Sequence, residues 1–301
     1  MKPVAKQIRH RKAFTIVELL TVMSIIVILI GLMVPALNQV KQYATNVKEK
    51  AQLKAIETAL ELFNSQYSGY PDSTYVTPGT AGPAGYCGAE KLAEAMVGQD
   101  LMGFHPDSVF RQDGTDGLTP VRLLYRPGTL PARPGTFLQL ENANAYPLGE
   151  LYRNVGTFDP CDFVLCDVYG RVTNIRTGRK VGMPILYYKA NTARQSHDLQ
   201  NPNNPDNIYN WVDNRELLAL GKPWDPTPTA TPHRLLSFPG DTAKGILAEP
   251  AGERFYKNTR NEQVSIWRPF RADTYILISA GWDGEYGTAD DVCNFEWRFR
   301  D

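Results

Sequence analysis

The chain has 301 residues, room for one large domain or two, and its 32 Lys and Arg equal its 32 Asp and Glu. The balance is uneven: residues 1–13 carry Lys2, Lys6, Arg9, Arg11 and Lys12 and no acid, and beyond them 27 basic side chains face 32 acidic ones, a net charge of −5. A mildly acidic body exerts no long-range pull on phosphate backbones, so no nucleic-acid partner is expected.

The first element is that basic leader, 1–13, followed by Phe14-Thr15-Ile16-Val17-Glu18 and an apolar run that reaches Pro35. From Phe14 to Val34 the sole ionisable side chain is Glu18. A carboxylate in hydrocarbon costs roughly 2.5 to 3.5 kcal/mol on insertion scales, and a group that expensive usually has a partner. The run is too long for a secretory signal peptide, whose apolar core spans about 7 to 15 residues. It fits the roughly 20 residues of a transmembrane helix. Segment 14–35 is therefore expected to cross a membrane once, the leader keeping the N-terminus cytoplasmic and the rest being exported.

Past Pro35 the apolar pattern takes a helical period. Leu37, Val40, Ala44, Val47, Ala51, Ala55, Ala59 and Leu62 recur at spacings of three and four among good helix formers. Residues 36–66 read as an amphipathic continuation of the same helix, which from Phe14 to about Phe63 would be about 75 Å long at 1.5 Å per residue. Pro35 lacks an amide donor and crowds the Gly31 carbonyl, so a kink or local loosening is expected there.

Tyr67-Ser68-Gly69-Tyr70-Pro71 turns out of the helix into an exported globular domain, 67–301. A Pro- and Gly-rich stretch at about 72–182 holds short regular patches near Ala89–Val97 and Phe163–Tyr169, and a second elaboration covers about 191–270, with Pro-rich connector 223–232. Met183-Pro184-Ile185-Leu186-Tyr187-Tyr188 reads as a strand that a proline opens, and Thr274-Tyr275-Ile276-Leu277-Ile278-Ser279 as the strongest strand in the chain. The fold class expected is α+β, a long N-terminal helix packed on a small antiparallel sheet with a large loop-rich insertion.

The last strand runs into Ser279-Ala280-Gly281-Trp282-Asp283-Gly284-Glu285-Tyr286-Gly287-Thr288-Ala289-Asp290-Asp291. Such an Asp- and Gly-rich loop can offer the carboxylate and backbone oxygens that calcium takes, about six to eight of them, and it can equally be a capped turn. The spacing is not that of an EF-hand. Cys87, Cys161, Cys166 and Cys293 allow three pairings if all are oxidised, with no choice among them from sequence. The histidines outside the leader, His105, His197 and His233, are scattered and read as surface or packed residues. No G-x-S-x-G elbow, phosphate loop or H-E-x-x-H is present, so no catalytic residues are assigned.

The N-terminal order of basic leader, small residue, Phe14, Glu18 and a long apolar run resembles the type IV pilins and the pseudopilins of type II secretion. The resemblance is greatest to the G-type major pseudopilin. Two later segments carry it further: Tyr67–Pro71 is similar to the family's N-G-x-Y-P, with Ser68 for the Asn, and the Ser279–Asp291 loop is similar to its calcium loop. Ala13 stands where the family mostly has Gly, and the long insertions are not covered. The resemblance implies cleavage between Ala13 and Phe14 by a prepilin peptidase, and methylation of the new Phe14 amine. It also implies a Glu18 carboxylate that pairs with the ammonium of a neighbouring copy. It places Ca2+ on Asp283, Asp290, Asp291 and the backbone of Ser279. Partners implied are other copies or pseudopilins, inner-membrane secretion or pilus machinery and membrane lipid, with the domain periplasmic or extracytoplasmic. A surface pilin or minor pilin for adhesion or DNA uptake shares the N-terminal signature. A membrane-anchored binding protein or enzyme is the reading from another class.

Overall fold

The computed structural model describes residues 15–225, 231–240, 247–263 and 267–296. Ala13 and Phe14, at the expected cleavage site, and residues 226–230 of the connector lie outside the described residues. The chain divides into two compact units, Met1–Ala44 and Thr45–Asp301. Helix α1 (Ile16–Tyr67) runs for 52 residues and stays helical through residue 35. In the first unit its Ile, Val, Leu and Met side chains are exposed. Among the described residues this is the one helix long and apolar enough to cross a membrane.

The second unit adds helices α2 (Gly88–Val97), α3 (Leu140–Ala143), α4 (Leu148–Leu151), α5 (Arg215–Ala219) and α6 (Glu253–Thr259). Its strands are β1 (Ala145–Pro147), β2 (Phe163–Leu165), β3 (Val172–Thr173), β4 (Lys180–Val181), β5 (Leu186–Lys189), β6 (Arg260–Asn261), β7 (Arg268–Pro269), β8 (Tyr275–Ser279) and β9 (Val292–Cys293). They form the antiparallel sheet β5-β8-β9 and three two-stranded ribbons, β1-β2, β3-β4 and β6-β7. The chain is thus α+β, with a long apolar N-terminal helix and small antiparallel sheets. The Met183–Tyr188 strand begins at Leu186, because Pro184 and Ile185 instead bond toward the β2 end: Cys166 bridges Pro184, and the Ile185 amide donates to the Leu165 carbonyl at 2.7 Å.

Leu186–Tyr188 of β5 and Tyr275–Ile278 of β8 are buried on both faces, which is why these stretches are apolar without alternation. Tyr187 faces Leu277 and Lys189 faces Tyr275 in the register, while Leu186 and Tyr188 pair with Ile278 and Ile276. Tyr187, Tyr275 and Leu277 pack with α1 and α2; Leu186, Tyr188, Ile276 and Ile278 pack on the opposite side with Trp211, Phe255 and Tyr256. Both elaborations therefore belong to this core: the first supplies α2 beneath one face and the second covers the other.

The face of α1 that enters the core is rotated from the expected stripe. Leu53, Ile56, Ala59, Leu60 and Phe63 are buried, whereas Val47, Ala51 and Leu62 are exposed and Ala55 is half-buried. Both stripes have helical spacing. The larger one wins because burying Leu, Ile or Phe is worth about 1.5–3 kcal/mol each and an alanine far less. Polar groups pin the same face: Gln52 Nε2 donates to the Cys166 carbonyl at 2.8 Å, and Glu49 Oε2 accepts the Val168 amide at 2.9 Å.

Ser73, Asp213 and Asn214 join the first elaboration to the sheet. Ser73 Oγ donates to Asp213 Oδ2 and accepts the Lys189 amide at 2.9 Å, and Asn214 bridges the Ala89 amide and the Tyr187 carbonyl. Burial pushes the Asp213 carboxyl up to about 7; Asp72 adds to this, while Ser73, Lys91 and the Tyr75 amide oppose it. A carboxyl with a raised folded pKa holds its proton better in the folded state. Its contribution is full below about pH 4 and is lost as pH rises through about 7. The full chain in detergent should therefore lose stability, on the order of a few kcal/mol, between about pH 5 and pH 8. Glu49 and Asp162 lie in the same range, pushed up chiefly by burial. Asp213→Asn, which keeps an acceptor for Ser73, should remove one share of that slope in urea unfolding, and an identical slope would show that Asp213 does not titrate there.

Candidate functional site

Two sets of residues singled out in the sequence are described, one in each unit. At the start of α1, Glu18 Oε2 accepts the Thr15 amide at 2.9 Å and Thr15 Oγ1 at 2.8 Å, while the Glu18 amide donates to Thr15 Oγ1 at 3.2 Å. This is a capping box, in which Thr at the N-cap and Glu three residues on satisfy each other's orphan amides. Thr15-Ile16-Val17-Glu18 carries that signal openly in its T-x-x-E spacing. Within one chain, Thr15 is a partner for Glu18, and the first turn of the helix favours the negative charge.

The second set is the loop after β8. Ser279 pairs with Val292, and its hydroxyl donates to Asp167 Oδ2 at 3.1 Å. Gly281 has φ +65°, and a Cβ there would sit 2.3 Å from the Asp290 carbonyl oxygen, so only glycine lets the loop close. The structure brings Asp283, Asp290 and Asp291 into this one loop. Asp290 Oδ2 accepts the Asp283 amide at 2.9 Å, Asp283 Oδ1 the Glu285 amide at 2.7 Å, and Asp291 Oδ2 the Gly287 amide at 2.8 Å. Thr288 Oγ1 donates to Asp290 Oδ1 at 2.7 Å.

The electrostatics of the loop are one-sided. Burial pushes Asp283 up to about 6, with the Asp290 charge adding; Asp291 is driven well above the usual carboxylate range by burial, with Asp290 and Asp283 adding. Lys222 and Arg234 both go to Glu285, at 2.9 and 3.5 Å, and among the described residues no Lys or Arg pairs with the three aspartates. The donor set therefore suits a hard cation in chemistry and charge. In its geometry the loop is closed on its own amides, and no three His, Cys, Asp or Glu side chains among the described residues stand as metal ligands do. An ion would enter by replacing some of these amide contacts.

Sequence reasoning missed a buried acidic pair behind the loop. Glu49 is fully buried and pushed up to about 7 by burial; Asp167 lies well above its usual range through burial and the Glu49 charge. Nothing in the sequence marks these two against other surface acids. His105, His197 and His233 are packed residues. His233 lies between the Gly221 carbonyl, 3.1 Å, and the Tyr286 amide, 3.3 Å, and burial lowers it to about 3. Cys87, Cys161, Cys166 and Cys293 are all free thiols. A polar cleft of about 640 Å³ lies beside Lys189, Asn191, Asn207 and Asn210. The oxygens of those asparagines are used on amides of their own loops, Ala193, Asp198 and Val212, at 3.1, 2.8 and 3.2 Å.

Comparison with known proteins finds no matching family model, no matching curated protein and no matching solved structure.

Proposed function

We propose that this chain is a structural subunit of a helical filament of the pilin and pseudopilin class, most like a type II secretion pseudopilin. The observation that carries the reading is the unburied apolar helix of the first unit, entered through a basic leader and bearing one capped carboxylate, Glu18, in its first turn. A helix apolar on all sides needs either lipid or other helices around it. Lipid would hold the subunit in the inner membrane before assembly, with the leader cytoplasmic and the domain periplasmic or extracytoplasmic. Neighbouring copies would surround the helix afterwards, through head-to-tail contacts that do not close into a ring.

On this reading a prepilin peptidase cuts between Ala13 and Phe14, and the Phe14 amine is methylated. The new ammonium of one copy meets the Glu18 carboxylate of the next, which the Thr15 box holds in place. The chain itself catalyses nothing. The loop at Asp283, Asp290 and Asp291 takes calcium, with the Ser279 carbonyl, and this loop favours a secretion pseudopilin over a surface pilin or minor pilin.

Three outcomes test the reading. Mass spectrometry of the protein extracted from membranes should find a mature chain beginning at methylated Phe14; an intact Met1 leader, or a cut near Ala36, would sink the proposal. Glu18→Ala should leave membrane insertion unchanged or improved and should cut incorporation into filaments beside wild type severalfold, since it removes the charge that recruits a neighbour. Equal incorporation would rule out the pairing role. Calcium in excess should raise the melting temperature of the full chain in detergent, by about 2.7 kcal/mol of added stability when the ion is a hundredfold above its Kd. Asp290→Ala should remove the share of that gain belonging to this loop, and magnesium should replace calcium poorly. If Asp290→Ala responds to calcium as wild type does, the loop is a capped turn.

A further inference from the structure

The polar cleft of about 640 Å³ presents side-chain donors that the fold does not use. Its size is that of a ligand site, which runs from about 300 to 1,000 Å³, and leaves room for two sugar rings. Asn191, Asn203 and Asn210 stand on its wall and are exposed. Asn191 Oδ1 accepts the Ala193 amide at 3.1 Å, Asn210 Oδ1 the Val212 amide at 3.2 Å and Asn203 Oδ1 the Trp211 indole N–H at 3.4 Å. Those three partners can only donate, so each asparagine must turn its oxygen to them and keep its amino group, a pure donor, for something else. Among the described residues none of the three Nδ2 groups has a partner.

Lys189 adds a charge to the same wall. It ends β5 half-buried, and among the described residues no acid pairs with its ammonium. Asp72, also on the wall, is taken by Lys91 at 2.5 Å, and Asp206 by Arg194 at 2.6 Å. Asp213, the other acid of the wall, accepts from Ser73 Oγ, and its second oxygen is buried. The cleft thus offers one free cation and several free donors, while its acids are engaged or buried.

Such a lining selects a ligand rich in oxygen acceptors that carries a single negative charge. A phosphate dianion calls for a cluster of cations or a helix N-terminus, and here one lysine stands beside the Asp72–Lys91 pair. A peptide brings as many N–H donors as carbonyl acceptors and would set donors against donors. A sugar acid brings a monoanionic carboxylate together with hydroxyl and ring oxygens that accept hydrogen bonds. We propose that the cleft binds a carboxylated saccharide of the uronate class, Lys189 meeting its carboxylate and Asn191, Asn203 and Asn210 donating to its hydroxyl oxygens. The site lies wholly within the second unit, so binding requires no assembly of subunits.

Equilibrium dialysis of the full chain, in a detergent without a sugar headgroup and with digalacturonate as the probe, tests this. Wild type should bind one digalacturonate per chain and the neutral disaccharide galactobiose at least about tenfold more weakly, the effect of losing one hydrogen bond to a charged group. Lys189→Gln should weaken digalacturonate about tenfold. Asn210→Asp and Asn191→Asp keep the oxygens that serve the Val212 and Ala193 amides but exchange a donor for a negative charge, and should weaken it as much or more. All three variants should melt with wild type, because no bond within the chain is lost; the loss of binding is then a loss of ligand contacts. Wild type that fails to bind digalacturonate at millimolar concentration overturns the proposal, as does equal binding by wild type and the three variants. Displacement of the probe by an equal concentration of inorganic phosphate or of a glutamyl dipeptide overturns it as well.

Discussion

The fold rests on the pairing of β5 with β8, which is buried on both sides. The strands are about ninety residues apart in sequence. Closing so long a loop carries an entropy cost that grows only slowly with length, so an insertion of this size is tolerable provided that it repays its ordering by burying surface. The second elaboration does so by laying Trp211, Phe255 and Tyr256 on the far face of the pair. Without that cover, Leu186, Tyr188, Ile276 and Ile278 would form an exposed apolar sheet face, an aggregation liability.

A second theme is the concentration of carboxyls at buried positions. Glu49 with Asp167, Glu90 with Asp162, and Asp283 and Asp291 beside the exposed Asp290 gather acids, and burial raises the first four together with Asp283 and Asp291. Proton uptake relieves such clusters at low pH, and a bound cation relieves them when the acids ionise. A mildly acidic domain with three such clusters is poised to respond to the pH and the ionic content of its surroundings. The three differ in what occupies their oxygens: amides in the C-terminal loop, amides and a serine hydroxyl at Asp167, and, for Glu90 Oε1 and Gln112 Oε1, nothing.

The first unit follows a simpler rule. Its helix is apolar on all sides, with a polar cap at its beginning, and its Ile, Val, Leu and Met side chains are exposed. By length and composition a run from Ile16 to Val34 could span a membrane, and exposing so much apolar surface to water is costly.

Much of this was legible in the sequence. Composition and the unbroken run after the leader determined a long apolar helix, because hydrophobicity and length alone distinguish such a segment. Its continuation to about residue 66, the strand at 274–279 and the turns around Asp283–Asp291 followed from period, β-branching and glycine. The Thr15–Glu18 box was legible too and needed only local chemistry. Tertiary structure decided the rest. Which stripe of α1 enters the core was a contest between two helical faces of equal period, won by Leu53, Ile56, Leu60 and Phe63 once a sheet and α2 were there to receive them. Which acids became unusual depended on burial and on neighbours distant in sequence, Val168 for Glu49 and Gln112 for Asp162, and no pattern along the chain encodes a proximity that folding alone creates.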